Sequence, residues 1–371
     1  MRSHWKILAA VVIALVALFL YDNVAVNPET FALNPSVSLS TESWEGQAFT
    51  ASDIPGISQL VARQRNELPD LVASCSPFLI LWLGNSQLHY INQSQKGDHV
   101  APFWLRKASE CPSGTIPLGI SLPNADLQEH YVLTEYVLNR LPIKVLILEL
   151  CFDDLREDGL REEFAVALQQ MDREALSENS VGREIIQHAE TAWQNTDRSE
   201  ENSGLEGFVQ KNVEDRLDSA VGAIWPLWRD RQNLRVKALT DLYYLRNDLL
   251  GIKPTTIRKV IPARYDRNMD ALRALLQNAQ THNVKVITYI APIRNDVPLP
   301  YDLAEYGRWK VAIEQLGRAY GVTHINLENL VPGELWGSYV ADDIDFMHFR
   351  GRGHELLAEA LSPYIRAARR E

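Results

Sequence analysis

Five short apolar runs, each free of the polar alternation that a solvent-facing strand shows, constrain this chain more than any other feature. They are Phe78–Leu83 (FLILWL), Thr115–Ser121 (TIPLGIS), Lys144–Leu150 (KVLILEL), Val284–Ala291 (VKVITYIA) and the shorter Thr323–Leu327 (THINL). A strand with one wet face alternates apolar and polar residues, whereas a continuous run needs cover on both faces, as in a parallel sheet. Pro117 weakens the second run, because proline cannot donate to a ladder and is tolerated at sheet edges. Helical patterns lie between the runs, at Asp126–Asn139, Ala271–Asn283, Ala304–Tyr320 and His354–Arg366. In the last, Leu356, Leu357, Ala360, Leu361, Tyr364 and Ile365 form one stripe at helical spacing. Strand–helix alternation with buried strands predicts an α/β protein with a parallel sheet covered on both sides.

One stretch breaks the alternation. From Leu155 to Lys259 the sequence shows helix-like pieces, the polar segment Gln194–Gly204 and no convincing strand. Such a length between two strands far exceeds an ordinary crossover, so residues 155–259 are expected to form a helical insert. It is either a decoration or a lid beside the site, since loops at the carboxyl ends of strands surround ligands in open α/β sheets. The full chain has 371 residues, 46% of them hydrophobic and 23% charged, the proportions of a folded globular protein. Its formal net charge of −11 argues against a nucleic-acid partner, which needs a basic face.

The N-terminus points to a compartment. Arg2, His4 and Lys6 precede an apolar run from Ile7 to Tyr21, which Asp22 ends. Such a helix is about 22 Å long, short of the roughly 30 Å hydrocarbon core, and Trp5 and Tyr21 at the two interfaces with a snorkelling Lys6 extend it. The expectation is a retained signal anchor over residues 1–22, oriented with the body outside the cytoplasm; a cleaved signal peptide is the alternative. Residues 23–55, rich in Pro, Ser, Thr and Asn, read as an extracytoplasmic tether. The expected location is the inner (cytoplasmic) membrane, single-pass, with an extracytoplasmic domain over residues 56–371.

The chemistry-bearing residues sit at strand ends and in one late loop. The first strand runs into Gly84-Asn85-Ser86-Gln87, a strand-to-helix turn with a serine at a helix start, where free N–H groups favour developing negative charge. Taken alone, a serine in this place is far more often an N-cap than a catalyst. Asp345-Phe346-Met347-His348 precedes the last helix, and an Asp three residues before a His can orient the imidazole and stabilise its protonated form. That imidazole can serve as general base to a distant serine.

With Ser86 after the first strand and Asp345-x-x-His348 before the last helix, the sequence resembles the SGNH/GDSL hydrolase superfamily over roughly residues 78–154 and 284–366. The resemblance implies a three-layer, flavodoxin-like fold. It also implies an acyl-enzyme mechanism without cofactor, with Ser86 as nucleophile, His348 as base and Asp345 as its orienting partner. In that family the oxyanion is held by the nucleophile's N–H, a glycine N–H after the second strand and an asparagine side chain after the third. Here Asn124 or Ala125 stands in the glycine's place, and Cys151-Phe152-Asp153-Asp154 replaces the family's G-x-N-D. An ionised Asp153 cannot donate a hydrogen bond. The open alternatives are a protonated Asp153, Asn124 as substitute donor, or a site that is not a standard esterase.

The anchor, with Tyr289–Asp296, Pro300-Tyr301 and Trp336-Gly337, gives a narrower resemblance to envelope-polymer O-acylation proteins of teichoic-acid D-alanylation and alginate O-acetylation. It implies an acyl donor, a polysaccharide acceptor and a membrane-bound O-acyltransferase partner, with Arg294 against the acceptor or, alternatively, in a salt bridge with Asp296. The insert would then shield the acyl-enzyme from water. The second class of function is a catalytically degenerate relative that binds a polymer or the acyltransferase. No zinc-type spacing supports a metal site around Asp342, Asp343, Asp345, His348 and His354. His89 reads as a helix-surface or cleft residue, and Asn92-Gln93-Ser94 as a chance glycosylation sequon. In the family's sheet the first two strands are neighbours, which makes a Cys75–Cys111 bridge plausible and leaves Cys151 as a small buried residue.

Overall fold

A computed structural model describes residues 39–40, 48–49, 78–109, 114–121, 124–160, 164, 168, 173–187, 190–191, 256–337 and 344–370. The expected anchor, nearly all of the tether, Cys75, Cys111, Asp342, Asp343 and most of the insert lie outside these residues. Among the described residues no helix is long and apolar enough to cross a membrane.

The five apolar runs form one parallel sheet: β1 (Phe78–Gly84), β2 (Thr115–Ser121), β3 (Ile143–Leu150), β4 (Lys285–Ile290) and β5 (Thr323–Asn326). Its strand order is β2-β1-β3-β4-β5, the flavodoxin-like order. Pro117 pairs with Ile80 on β2, an edge strand, where a missing N–H is tolerated. In register, β1 sets Leu81 beside Leu118 on one side and Leu146 on the other.

Side chains alternate between two dry faces. Leu79, Leu81 and Leu83 of β1 join Leu146, Leu148 and Leu150 of β3 in one apolar cluster. Ile80 and Trp82 join Val145, Ile147, Ile287 and Tyr289 in the other. The first face is covered by α3 (Leu127–Leu138), α5 (Pro262–Thr281) and α6 (Leu303–Ala319). The second is covered by α2 (Ala101–Lys107) and α7 (Gly351–Arg370), with Leu88 of α1 (Ser86–His89) beside them. Both faces are therefore dry, which is why the strands read as unbroken apolar runs.

Two helices start well before the sequence expectation. Helix α5 begins at Pro262, nine residues before the expected Ala271, because its first turns are polar and give no apolar stripe; Pro at the first position starts it. Helix α7 begins at Gly351 rather than His354. Its two glycines are packing positions, since a Cβ on Gly351 would meet the Asp98 side chain and one on Gly353 the Phe349 ring. In the expected insert the described residues include α4 (Arg173–Glu178). Phe164, Leu168, Leu176 and Ile185 from this region are buried in the first-face cluster, so they complete the core of the sheet domain.

Candidate active site

The strand order reverses between β1 and β3, and open α/β sheets bind ligands outside the carboxyl ends of strands at such a point. Ser86 stands there, two residues past β1, as the first residue of α1. Asn85 caps that helix, its side-chain oxygen accepting from Gln87 N at 2.9 Å. Ser86 Oγ donates to His348 Nε2 at 2.8 Å, across 262 residues of sequence. The other ring nitrogen, Nδ1, donates to Asp345 Oδ2 at 3.0 Å. The tautomer follows from the partners: a carboxylate only accepts, so Nδ1 carries the proton and Nε2 is free to take one from the serine.

Asp345 is 1% exposed and His348 5%. Burial alone would raise the Asp345 pKa, but the His348 ring and the backbone N–H groups of Met347 and His348 outweigh it and hold the carboxyl below its ordinary value. Those N–H groups donate to Asp345 Oδ1 at 2.9 and 3.0 Å. Tyr90 stacks edge-on against the His348 ring, 4.9 Å between centroids. The arrangement can deprotonate a serine hydroxyl and stabilise the imidazolium that results.

Two further histidines surround this one. His89, at the end of α1, is hydrogen-bonded to Ser121 Oγ, and burial, then the nearby His348, lower its pKa to about 4. His354 of α7 is fully buried with Nε2 donating to Tyr90 O at 3.2 Å, and burial lowers it to about 3. Both are neutral near pH 7 and leave His348 without a charged histidine neighbour.

The remaining expected residues take other places. Asp153 accepts at both oxygens: Arg156 at 3.2 Å on one, Arg258 and, at 2.9 Å, Tyr301 on the other. It is occupied as an acceptor by two guanidinium groups and a phenol, an arrangement opposite to that of a donor. Asn124 is exposed and has φ of 52°, the left-handed backbone that suits glycine and that asparagine adopts more easily than other residues. Arg294 is paired with Asp296 at 2.8 and 3.2 Å and donates to Gly337 O at 3.1 Å, so it ties loops together. Asn92 is 2% exposed, which takes the sequon out of reach of a glycan. Among the described residues no group of three or more His, Cys, Asp or Glu side chains is placed to hold a metal.

Three residues to which the sequence reading gave no site role are part of the surroundings. Gln87, fully buried, donates its amide hydrogens to Pro292 O at 2.9 Å and Met347 O at 2.6 Å. Asn92 Nδ2 donates to Asp345 Oδ2 at 2.7 Å. Beneath the Ser86 turn, Glu149 is fully buried and accepts from Tyr289 OH at 3.1 Å and Cys151 Sγ at 3.4 Å. Burial raises Glu149 to about 8, against the smaller opposing effects of those bonds, so it is a neutral acid at pH 7. Burial likewise pushes up the Cys151 thiol, which stays protonated and accepts from Asn85 Nδ2 at 2.8 Å. Only Gln87, adjacent to the serine, could have been suspected from position; the others depend on contacts distant in sequence.

No family model and no curated protein matches the chain. Among solved structures it is similar to an acetylxylan esterase from Geobacillus stearothermophilus, at 10% identity and a TM-score of 0.38, over 78% of this chain and 94% of that one. It is also similar to a GDSL-like lipase from Bacteroides thetaiotaomicron, at 9% identity and a TM-score of 0.33, over 83% of this chain and 98% of that one.

Proposed function

We propose that the protein is a serine-dependent acyl-transfer enzyme of the SGNH/GDSL type, an O-acyltransferase or esterase acting outside the cytoplasm on a cell-envelope or secreted polysaccharide. The observation that carries this reading is the Ser86–His348–Asp345 chain, with links of 2.8 and 3.0 Å, at the point where the strand order reverses. In the proposed reaction His348 Nε2 takes the Ser86 proton as Oγ attacks the acyl carbonyl carbon. The tetrahedral oxyanion then collapses, and His348 returns the proton to the leaving oxygen. A sugar hydroxyl or water, deprotonated by the same nitrogen, attacks the acyl carbon, and the acyl–Oγ bond breaks as His348 returns that proton to Ser86 Oγ. The polysaccharide acceptor, the membrane-bound O-acyltransferase partner and the anchor belong to the narrower resemblance drawn from the sequence and are part of the proposal on that footing.

A second reading, a non-catalytic relative that binds a polymer or the acyltransferase, is favoured by one specific observation. The residue in the place of the family's donor asparagine, Asp153, accepts from Arg156, Arg258 and Tyr301, and removing one oxyanion donor typically costs about 10²–10³ in kcat. A fluorophosphonate probe separates the two. Covalent labelling of the folded wild type that disappears in Ser86→Ala is the result expected for the enzyme. Absence of labelling in folded wild type would sink it in favour of the binding protein. With an acyl donor and an added oligosaccharide, the ratio of transfer to hydrolysis then distinguishes transferase from esterase.

A further inference from the structure

We infer that Asn92 is a positioning residue for the site, which fixes the Asp345 carboxylate against His348, with Gly337 and Arg294 as its backing. The inference rests on the acyl-transfer reading for its purpose, though not for its geometry. Asn92 Nδ2 donates to Asp345 Oδ2 at 2.7 Å, the same oxygen that accepts from His348 Nδ1 at 3.0 Å. Its own backbone N–H donates to Phe349 O at 3.0 Å, which pins it to the residue after His348. Behind it Gly337 leaves the room the amide needs: a Cβ there would run into Asn92 Cγ and Oδ1. Arg294 closes the arrangement, donating from Nη1 to Gly337 O at 3.1 Å and from its backbone N to Phe346 O at 3.4 Å.

The chemical consequence concerns charge. A hydrogen bond to a carboxylate favours its ionised form and disperses its charge. With Asn92 in place, less of that charge faces Nδ1–H, and the imidazole gives up its extra proton more readily. Removing the amide concentrates the charge on the imidazolium side, so the base stays protonated to higher pH. The other groups facing this cluster are Tyr90 beside Asp345, and His89 and His354 near His348, both neutral in this range. The Arg294 guanidinium is already paired with Asp296.

Two variants disturb the contact from opposite sides. Asn92→Ala removes the donor, and Gly337→Ala pushes the amide away while leaving Asn92 itself in the sequence. Two readouts are followed against pH: the rate of fluorophosphonate labelling and the NMR titration of the His348 ring. In either variant that folds, both midpoints are expected to move upward by about half to one pH unit, a part of the worth of one hydrogen bond to a charged group, since only its effect on the imidazolium is read. In the wild type, the Asn92 side-chain amide is expected to exchange slowly with solvent. A fast-exchanging amide, or unchanged midpoints in a folded variant, overturns the inference. If the wild type is not labelled but the ring titration still moves, the acyl-transfer reading fails and the Asn92 role stands.

Discussion

Gly84 is where the backbone of β1 must pass over a buried acid to deliver Ser86. A Cβ at this position would lie 2.5 Å from Glu149 Oε2 and 3.1 Å from Leu88 Cβ. The first contact cannot be relieved cheaply, because Glu149 is itself held by Tyr289 and Cys151. Gly84→Ala should therefore lower stability by about 1–3 kcal/mol, the usual cost of overpacking a filled core, and slow labelling of Ser86 by moving the turn. Urea denaturation and the labelling rate check both. The double variant Gly84→Ala/Glu149→Ala should recover part of the lost reactivity, since the space under the turn is then open. Additive losses would show that the two positions do not meet. Asp153 teaches the same lesson at residue scale. Its type was readable in the sequence, but its three partners lie up to 148 residues away, so its engagement with Arg258 and Tyr301 was not.

At the scale of elements, α1 has only four residues, too few to be stable by its own hydrogen bonds. Its place is set by ties in its first turn: the Asn85 cap and the Gln87 amide, which bridges to the loop after β4 and to the loop carrying His348. Gln87→Met keeps the length of the side chain and leaves two carbonyls without their donor. On the proposed acyl-transfer reading, the expected result is a folded protein whose kcat/KM falls by roughly 10²-fold, the cost of misplacing a reacting group by about 1 Å. Gln87→Glu should be worse, because a carboxylate would face those carbonyls. Retention of full activity in Gln87→Met would show that α1 is fixed by the cap alone. The elements themselves were largely legible, and the reason is physical. Strands buried on both faces must be apolar throughout, and a proline within one must sit at an edge, as Pro117 does. What could not be read were the polar first turns of α5, which carry no periodicity. Nor did the sequence reveal that Phe164, Leu168, Leu176 and Ile185 of the expected insert pack into the main core. Apolar residues in a helical pattern do not say which core they join.

At the scale of the whole molecule, the buried titratable groups give stability a pH dependence whose sign can be worked out. His89 and His354 have folded-state values of about 4 and about 3, below the ordinary 6.5. Below 6.5 the unfolded chain binds their protons and the folded one does not, so stability falls as pH falls toward those values. Glu149 acts in the opposite direction. Its folded value of about 8 lies above the ordinary 4.5, so between these limits the folded state holds a proton that the unfolded state has lost. Stability therefore falls as pH rises through this window, and Asp154, raised chiefly by burial, adds to the fall. From pH 6.5 to 8 the histidines no longer contribute and the acids are left alone. The wild-type Tm should decline across this interval. Glu149→Gln keeps an acceptor for Tyr289, turns an amide toward Cys151 and cannot ionise. Its Tm relative to wild type should increase steadily from about pH 4.5 to 8 and level off above. Thermal melts of the two proteins at several pH values test this, and a Tm difference that stays constant across the window would mean that Glu149 is ionised in the folded protein. In that case a negative charge would lie under Ser86 at neutral pH and, on the proposed acyl-transfer reading, would oppose an oxyanion formed there. A neutral Glu149 is thus what lets an acid be buried there, and on the proposed acyl-transfer reading it spares the site a charge that would oppose the oxyanion.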